Sequence, residues 1–187
     1  MLKPILTLAV LVTVAACSST ITRLNMPNVV PTASVRSDVG SVMIRTVTLP
    51  TYAATEEISI ETAPGVITTD GDLLAADDPV RGVTLALTQG VSEILDSTVG
   101  PDPWPFAGLP DVAVDVQVSE MLGSVVTDTF RLAGQYYVGG DGIDYPDRTY
   151  SFDFTVPMPT ADIPGAVAAQ GVAVAQLAEE IARSLGR

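Results

Sequence analysis

The single cysteine of this 187-residue chain, Cys17, stands at a position suited to covalent modification. Residues 5–14 in front of it are almost entirely apolar, and a lysine supplies a positive charge near the start. Ala15 and Ala16 place two small side chains directly before the thiol. A positive start, an apolar segment of roughly 7–15 residues and a small-residue cleavage site are typical of a secretory signal peptide. Residues 1–16 are therefore predicted to be removed by cleavage between Ala16 and Cys17.

The sequence Val14-Ala15-Ala16-Cys17 resembles the bacterial lipobox, in which the cysteine is acylated before the preceding peptide bond is cut. On this interpretation Cys17 becomes the lipidated N-terminus of the mature protein. The alternatives are a single-pass anchor and a buried N-terminal helix. A spanning helix needs about 20 apolar residues, whereas polar Ser18 follows too early. Thioether formation also removes the one free thiol, which is a liability in an exported protein, and more than one acyl chain makes membrane attachment stable.

The sequence lacks the residues on which most enzymes depend. It contains no histidine, and its only lysine, Lys3, leaves with the signal peptide. Histidine-dependent triads, cysteine nucleophiles, phosphate-binding P-loops and the usual zinc sites are therefore excluded. Pairs of carboxylates could hydrolyse glycosides, but only one tryptophan is present to stack on a sugar. We predict a protein that is not an enzyme and that holds no cofactor.

The charge of the chain excludes another class of partner. The full chain has 9 basic and 22 acidic residues. Removal of the signal peptide leaves eight arginines against the same 22 acidic residues, which gives a net charge of −14. Such a surface repels nucleic acid and anionic lipid headgroups. No nucleic-acid role is expected.

Two acidic segments share some features with calcium sites. Residues 139–144 fit the start of a glycine-rich calcium nonapeptide, but such repeats need stacked neighbours and the chain has one copy. The four aspartates between residues 70 and 78 do not have EF-hand spacing. The first segment is interpreted as a flexible hairpin loop, and the second as a solvated loop whose carboxylates favour a helix N-terminus. No metal site is predicted.

Residues 17–41 are predicted to be a lipidated N-terminus and a flexible tether. Serine, threonine, asparagine and proline dominate there, and apolar residues show no sustained period. Part of the segment, near Arg23-Leu24 or Val29-Val30, could instead lie on the folded domain as an edge strand. Residues 42–187 are predicted to form one α/β domain, which is long enough to build a hydrophobic core.

The first part of this domain is predicted to contain a strand and a hairpin. Residues 42–49 place apolar side chains on both faces of a strand, as expected for a strand covered on both sides, and Pro50 ends it. Apolar and polar residues alternate over residues 58–60. Pro64-Gly65 has the composition of a type II turn and leads into a return strand at residues 66–67.

Two amphipathic helices are predicted. Asp78 is the expected N-cap of the first, with Pro79 as its first residue and Gly100-Pro101 as its end. The second begins near Pro164, and its apolar residues recur at steps of three and four to the end of the chain. These stripes must pack on the sheet.

Three strands are predicted between the helices. Residues 112–118, 130–138 and 150–156 alternate apolar with polar side chains, which indicates antiparallel neighbours with one buried face. Gly123-Ser124 and residues 139–147 are the expected turns. The predicted fold is thus a single α/β domain with a mixed, mostly antiparallel sheet and two main helices.

A proline-bracketed loop carries two large aromatic side chains, Trp104 and Phe106. One interpretation is a lid that packs both rings over the end of the core. The other is a contact with a protein partner, since rigid exposed aromatic side chains are good anchors.

Taken together, these features resemble the auxiliary lipoprotein family of ABC-type transport systems, which includes the PqiC lipoproteins of MCE-type intermembrane transport. The segments that carry the likeness are Val47-Thr48-Leu49-Pro50-Thr51-Tyr52, the helix after Pro79, Pro103-Trp104-Pro105-Phe106, Gln176-Leu177-Ala178 and Ile181-Ala182. The likeness spans nearly all of the mature chain. One departure is that Ala76-Asp77-Asp78-Pro79 stands where the family commonly has a Trp-Ala-Glu-Pro-like sequence.

The resemblance implies an outer-membrane lipoprotein that faces the periplasm and serves as a structural or docking component. Its partners would be an MCE-domain protein and an ABC permease and ATPase, and copies could assemble into a homo-oligomer. Ser18 after the cysteine agrees with sorting of lipoproteins to the outer membrane. Two other functions stay open: a lipoprotein that assembles or activates secretion or cell-wall machinery, and a ligand-binding lipoprotein.

Overall fold

The computed structural model describes residues 21–186, so Cys17 and the predicted cleavage site after Ala16 lie outside the described residues. Within this range the chain forms one eight-stranded mixed sheet and two long helices, which confirms the predicted α/β class. In chain order the elements are β1 (Thr22–Leu24), β2 (Ser41–Ile44), a 3-10 turn (Thr51–Ala53), β3 (Glu57–Ala63), β4 (Val66–Ala75), α1 (Pro79–Ile94), β5 (Thr98–Pro101), β6 (Val112–Ser124), β7 (Thr129–Gly140), β8 (Arg148–Pro157) and α2 (Ile163–Ser184).

Strand β6 is the centre of the sheet, because it pairs with three other strands. On one side it forms a long antiparallel ladder with β7, which in turn pairs with β8. On its other side, the first residues of β6 pair in parallel with β2, and the last two pair in parallel with β3. Strand β5 extends the β2 branch, whereas β4 and then β1 extend the β3 branch. The sheet therefore forks on one side of β6.

The alternation predicted for the long strands is present in the structure. On β6, Val114 and Val116 are fully buried, while Gln117 and Ser119 lie exposed on the opposite face. The strand predicted over residues 42–49 is present as β2 but ends at Ile44. Both of its faces are covered, as the sequence predicts, since Val42 is fully inaccessible and the adjacent Met43 is also buried. The long strands thus present one face to the helices, and β2 lies deeper.

Both helices begin with the side-chain caps expected of their sequences. Asp78 accepts a hydrogen bond from the Arg81 N–H at 2.8 Å, and Pro79 is the first residue of α1. Asp162 caps α2 in the same way through the Gly165 N–H at 2.8 Å. The most deeply buried helix residues include Val83, Leu87 and Val91 in α1, and Leu177, Ala178 and Ile181 in α2.

Two glycine-containing pairs that the sequence assigns to a helix end and to a turn lie inside strands instead. Helix α1 ends at Ile94, and Gly100-Pro101 belongs to β5. A Cβ added at Gly100 would lie 3.0 Å from the Trp104 ring. Gly123-Ser124 ends β6, and a Cβ added at Gly123 would lie 2.5 Å from the Ala166 Cβ. Each glycine therefore lets a neighbouring side chain pack closely against the strand, and neither one ends a helix or forms a turn.

Residues 25–37, which we call the strap, lie along the two helices in an extended conformation. The Pro27 carbonyl oxygen would be 2.4 Å from a Cβ added at Gly171 of α2. Further along, the Val35 N–H donates to the Ile94 carbonyl of α1 at 2.8 Å. Alternate strap side chains are half-buried: Met26, Val29, Pro31, Ala33, Val35 and Ser37. The part of the predicted tether that the structure describes is therefore packed on the domain.

The edge strand left open for Arg23-Leu24 is present as β1, which pairs in parallel with β4. Val29-Val30 lies in the strap and forms no strand. The sequence of the strap shows no alternation of apolar and polar residues, because its half-buried side chains include proline, alanine and serine as well as larger apolar residues. Its partners are also remote in sequence, since Ser37 bonds to the Leu185 carbonyl.

The close packing of the strap predicts opposite effects for two glycine-to-alanine substitutions. Gly171→Ala should lower the free energy of unfolding by roughly 1–3 kcal/mol, because the strap backbone must move away from the new methyl group. Gly82→Ala in α1 meets no atom within 4 Å. It should raise stability by about 0.5–1 kcal/mol, since alanine is the better helix former. Urea unfolding measures both changes, and a stability gain in Gly171→Ala would contradict the close contact.

The buried Tyr136 of β7 predicts a specific alkaline effect. Its ring stacks on Tyr150 with centroids 4.8 Å apart. Among the described residues its hydroxyl oxygen has no hydrogen-bond partner, since the nearby Ser184 hydroxyl donates to the Ile181 carbonyl at 2.7 Å. Burial raises the pKa of Tyr136 to about 12.

The unfolded chain, with an ordinary tyrosine pKa of about 10, thus releases this proton first, and folding stability falls as the pH rises from about 10 to about 12. Tyr136→Phe should leave stability equal or higher at pH 7, because no buried hydroxyl loses a partner. It should also flatten that alkaline fall. The exposed Tyr137→Phe is the control and should retain the wild-type profile. Thermal unfolding from pH 7 to pH 11.5 tests this, and a variant as alkali-sensitive as the wild type would disprove it.

Candidate functional site

Two loops meet at the end of the domain where β6 begins, and they expose a group of apolar side chains. The loop before β6 and the loop between β7 and β8 are joined by hydrogen bonds from the Asp141 and Gly142 N–H groups to the Asp111 carbonyl, at 3.0 and 3.3 Å. The exposed apolar residues on these loops are Phe106 (50%), Leu109 (70%) and Ile143 (46%). We call these three residues the apical patch.

The structure gives Trp104 and Phe106 different positions. Their rings contact each other edge to face, with centroids 5.0 Å apart and an interplanar angle of 67°. Both rings pack over Gly100, but Trp104 is half-buried whereas Phe106 is half-exposed. The Trp104 Nε1 atom is shut off from water and has no hydrogen-bond partner among residues 21–186. Trp104 thus supports the loop, and Phe106 is the side chain available for contact.

A second candidate is a cavity of about 330 Å³, which we call the side cavity. It lies beside the first turn of α1, between the 3-10 turn, β3 and the residues that follow β1. Its buried apolar lining consists of Val83, Met121, Phe130, Ala166 and Val167. Its exposed rim includes three carboxylates: Glu57, Asp77 and Asp78. The side cavity thus combines an apolar floor with an acidic opening.

Tyr52 lines the side cavity and carries a hydroxyl with unused donor capacity. Its Oη accepts a hydrogen bond from the Met121 N–H at 3.2 Å, and among the described residues it donates none. Burial raises the pKa of Tyr52 above its ordinary value, and the charge of Glu120 adds to the effect. The hydroxyl therefore stays protonated at neutral pH and is able to donate.

The aspartates considered for calcium have local structural partners. Asp78 caps α1, and Asp77 forms an ion pair with Arg81. Asp70 and Asp72 lie in β4 and not in the predicted loop, and Asp70 accepts from the Asp72 N–H at 2.8 Å where the register between β3 and β4 shifts. Asp141 in the 139–144 segment lies 3.9 Å from the guanidinium of Arg45. Within the part of the chain that the structure describes, no cluster of three or more potential ligand side chains could hold a metal ion.

The N-terminal end of the described chain and the apical patch lie toward opposite ends of β6. Strand β1 pairs with β4 beside Leu74, which faces Glu57 of β3. Three residues later, Ile60 pairs with Gly123 near the end of β6. The loops that carry the apical patch join β6 at its first residue, Val112. At about 3.3 Å per residue, the two places are on the order of 25–30 Å apart along the strand.

Comparison with known proteins relates this domain to a family. The model of the family described as the ABC-type transport auxiliary lipoprotein component matches residues 23–182. The chain belongs to this family. No helix among residues 21–186 has the length and apolar character needed to cross a membrane.

Two solved structures share the family fold. One, a crystal structure of an uncharacterized protein, has a TM-score of 0.71 at 16% identity and covers 89% of this chain and 99% of its own. The other is a crystal structure of a Xanthomonas campestris protein assigned to the family DUF330. It has a TM-score of 0.68 at 13% identity and covers 88% of this chain and 95% of its own. No curated protein sequence matches the chain significantly.

Family membership gives the chain an auxiliary role in ABC-type transport and makes it a lipoprotein of the cell envelope, held at a membrane. The family is described as a transport component and not as an enzyme. The resemblance inferred from the Val47–Tyr52 segment, the helix after Pro79, the aromatic loop and the closing helix is therefore confirmed.

Proposed function

We propose that the protein is anchored in the outer membrane by acyl chains on Cys17 and faces the periplasm. There it would dock an MCE-domain protein and an ABC permease and ATPase that move lipids between membranes. The lipobox supports the attachment, and Ser18 supports the outer-membrane destination. Family membership supports the association with a transport system.

The observation that carries this proposal is the placement of the apical patch at the end of the domain away from its N-terminal strand. From Cys17 to Ile21 the chain can span at most about 14 Å. The N-terminal strand would therefore stay close to the membrane, and the apical patch would project from it into the periplasm. Three exposed apolar side chains on two hydrogen-bonded loops are the kind of surface that marks a protein interface.

Isolation of the acylated protein from membranes in mild detergent tests the proposal. We expect the MCE-domain protein and the permease to be recovered with it. A complex mass that is a multiple of the protomer mass would show the homo-oligomer that the resemblance implies. Recovery of a cell-wall synthase or a secretin instead would favour the lipoprotein that assembles other machinery. Recovery of no MCE partner, with unchanged lipid asymmetry after deletion of the gene, would disprove the transport role.

A ligand-binding function is favoured by one specific observation, the side cavity. It is compatible with the docking role, because the side cavity and the apical patch are separate surfaces.

A further inference from the structure

We propose that the side cavity binds one acyl chain of a phospholipid whose headgroup carries an amine. This inference rests on the proposed function, because it takes the domain to be held at a membrane by Cys17. It assigns a ligand of defined chemistry to the side cavity, whereas the description of the family gives a role in transport and no ligand.

The floor of the side cavity matches an aliphatic chain. Val83, Met121 and Phe130 line the cavity, have apolar side chains and are each less than 8% exposed. Its volume of about 330 Å³ is at the lower end of the roughly 300–1,000 Å³ that ligand sites occupy. This space suits one chain of a lipid and not a complete two-chain molecule.

The rim of the side cavity selects the headgroup. The lining holds three carboxylates and no lysine or arginine. Asp77 and Asp78 already bond to Arg81, whereas the Glu57 side chain forms no hydrogen bond or ion pair with the described residues. A carboxylate without a partner favours an ammonium group over a second anion. The Tyr52 hydroxyl is placed to donate to a neutral ester carbonyl between chain and headgroup.

The position of the side cavity gives it access to such lipids. Leu24, Asn25 and Met26 form part of its lining. Cys17 precedes Leu24 by seven residues, so the acylated end and the lining are at most about 25 Å apart even when the intervening chain is fully extended. The side cavity therefore lies within reach of the membrane surface, on the side of the domain from which the anchor departs.

Photolabelling of the full acylated protein in vesicles tests this inference. Two photoactivatable single-chain phospholipids with the same chain are compared, one with an ethanolamine head and one with a glycerol head. We expect the ethanolamine lipid to label peptides that contain Val83, Met121 or Val167. Ala86→Trp, which fills the lined space from α1, should reduce that labelling about tenfold or more. Ser92→Trp, on α1 but outside the lining, is the matched control and should label as the wild type does.

Glu57→Gln provides a second variant at an exposed position that leaves the core unchanged. It should remove most of the preference for the ethanolamine head and retain labelling by both lipids. Equal labelling of Ala86→Trp and wild type, labels confined to the outer surface, or equal use of both heads by the wild type would overturn the inference. Cross-linking of a photoreactive side chain at Ala86 to a protein segment in place of lipid would overturn it too.

These outcomes are distinguishable from failure of the proposed function. If the MCE partner is recovered but no lipid labels the side cavity, this inference is wrong and the docking role stands. If lipid labels the side cavity but no transport partner is recovered, the docking role is wrong and the ligand assignment stands.

Discussion

Replacing Cys17 with alanine is expected to abolish acylation and, with it, the cleavage after Ala16, so that the apolar residues 1–16 stay attached. When residues 1–16 of this variant are also exchanged for a signal peptide that is cleaved without acylation, essentially all of the protein should move from the membrane fraction into the soluble periplasmic fraction. Each acyl methylene buried in a bilayer contributes about 0.8 kcal/mol, so loss of the chains removes nearly all of the membrane affinity. The helices within residues 21–186 offer no spanning segment that could replace them. Cell fractionation with carbonate extraction measures the change, and mass spectrometry of the N-terminal peptide of the wild type identifies the acyl chains.

Ser19→Ala is the matched control, because it changes a neighbouring polar residue and leaves the thiol in place. It should remain in the membrane fraction. Retention of Cys17→Ala with the exchanged signal peptide in carbonate-washed membranes would contradict lipid anchoring at this residue. An uncleaved or unacylated N-terminus in the wild-type protein would do the same.

Placing two charges on the apical patch, as Phe106→Asp with Leu109→Asp, is expected to abolish recovery of the MCE partner. Apolar anchors at the centre of an interface commonly contribute about 2 kcal/mol or more each, so losing both corresponds to a complex weakened roughly 1,000-fold or more. Because the two side chains are 50% and 70% exposed, the fold should be retained. Co-purification in mild detergent and circular dichroism measure the two effects.

The control for this double variant lies at the other end of the domain. Val66→Asp with Ile67→Asp introduces the same charge at residues that are 49% and 43% exposed, next to the hairpin between β3 and β4. It should leave partner recovery unchanged. Docking through the apical patch would be disproved if both double variants retained the partner, or if only the control lost it.

Elements whose signals are local could be predicted from the sequence. Val112, Val114 and Val116 alternate with more polar residues because one face of β6 is buried, so a period of two is visible in the chain itself. Asp78-Pro79 predicts the start of α1 because an N-cap depends only on residues within the first turn of the helix. The short strand β5 was missed because α1 was expected to continue to Gly100-Pro101.

Features that depend on distant residues could not be predicted in this way. The fork of the sheet depends on which residues of β6 pair with β2 and which pair with β3. Neither pairing produces a periodic pattern in the sequence. The side cavity is formed by segments that range from Leu24 to Gln170, so no local stretch signals it.

The candidate contact surface was predicted in part. Phe106 was singled out for its type and its proline neighbours, and the structure leaves it exposed. Leu109 and Ile143 were not singled out, because each is a single apolar residue among glycine, proline and aspartate. Only the folded structure, in which the two loops are joined, shows that they share one end of the domain. The sequence treats Trp104 and Phe106 alike, and only the packing over Gly100 separates their positions.

The strap has a consequence for the order of events during biogenesis. Its partners are distant in the chain, since Ser37 bonds to the Leu185 carbonyl 148 residues away and Pro27 lies against Gly171. Contacts so far apart in sequence form late, after the intervening chain has folded. The strap is therefore expected to dock only after most of the domain has folded. Under the proposed acylation of Cys17, the enzymes that modify this cysteine would act before the strap packs on the two helices.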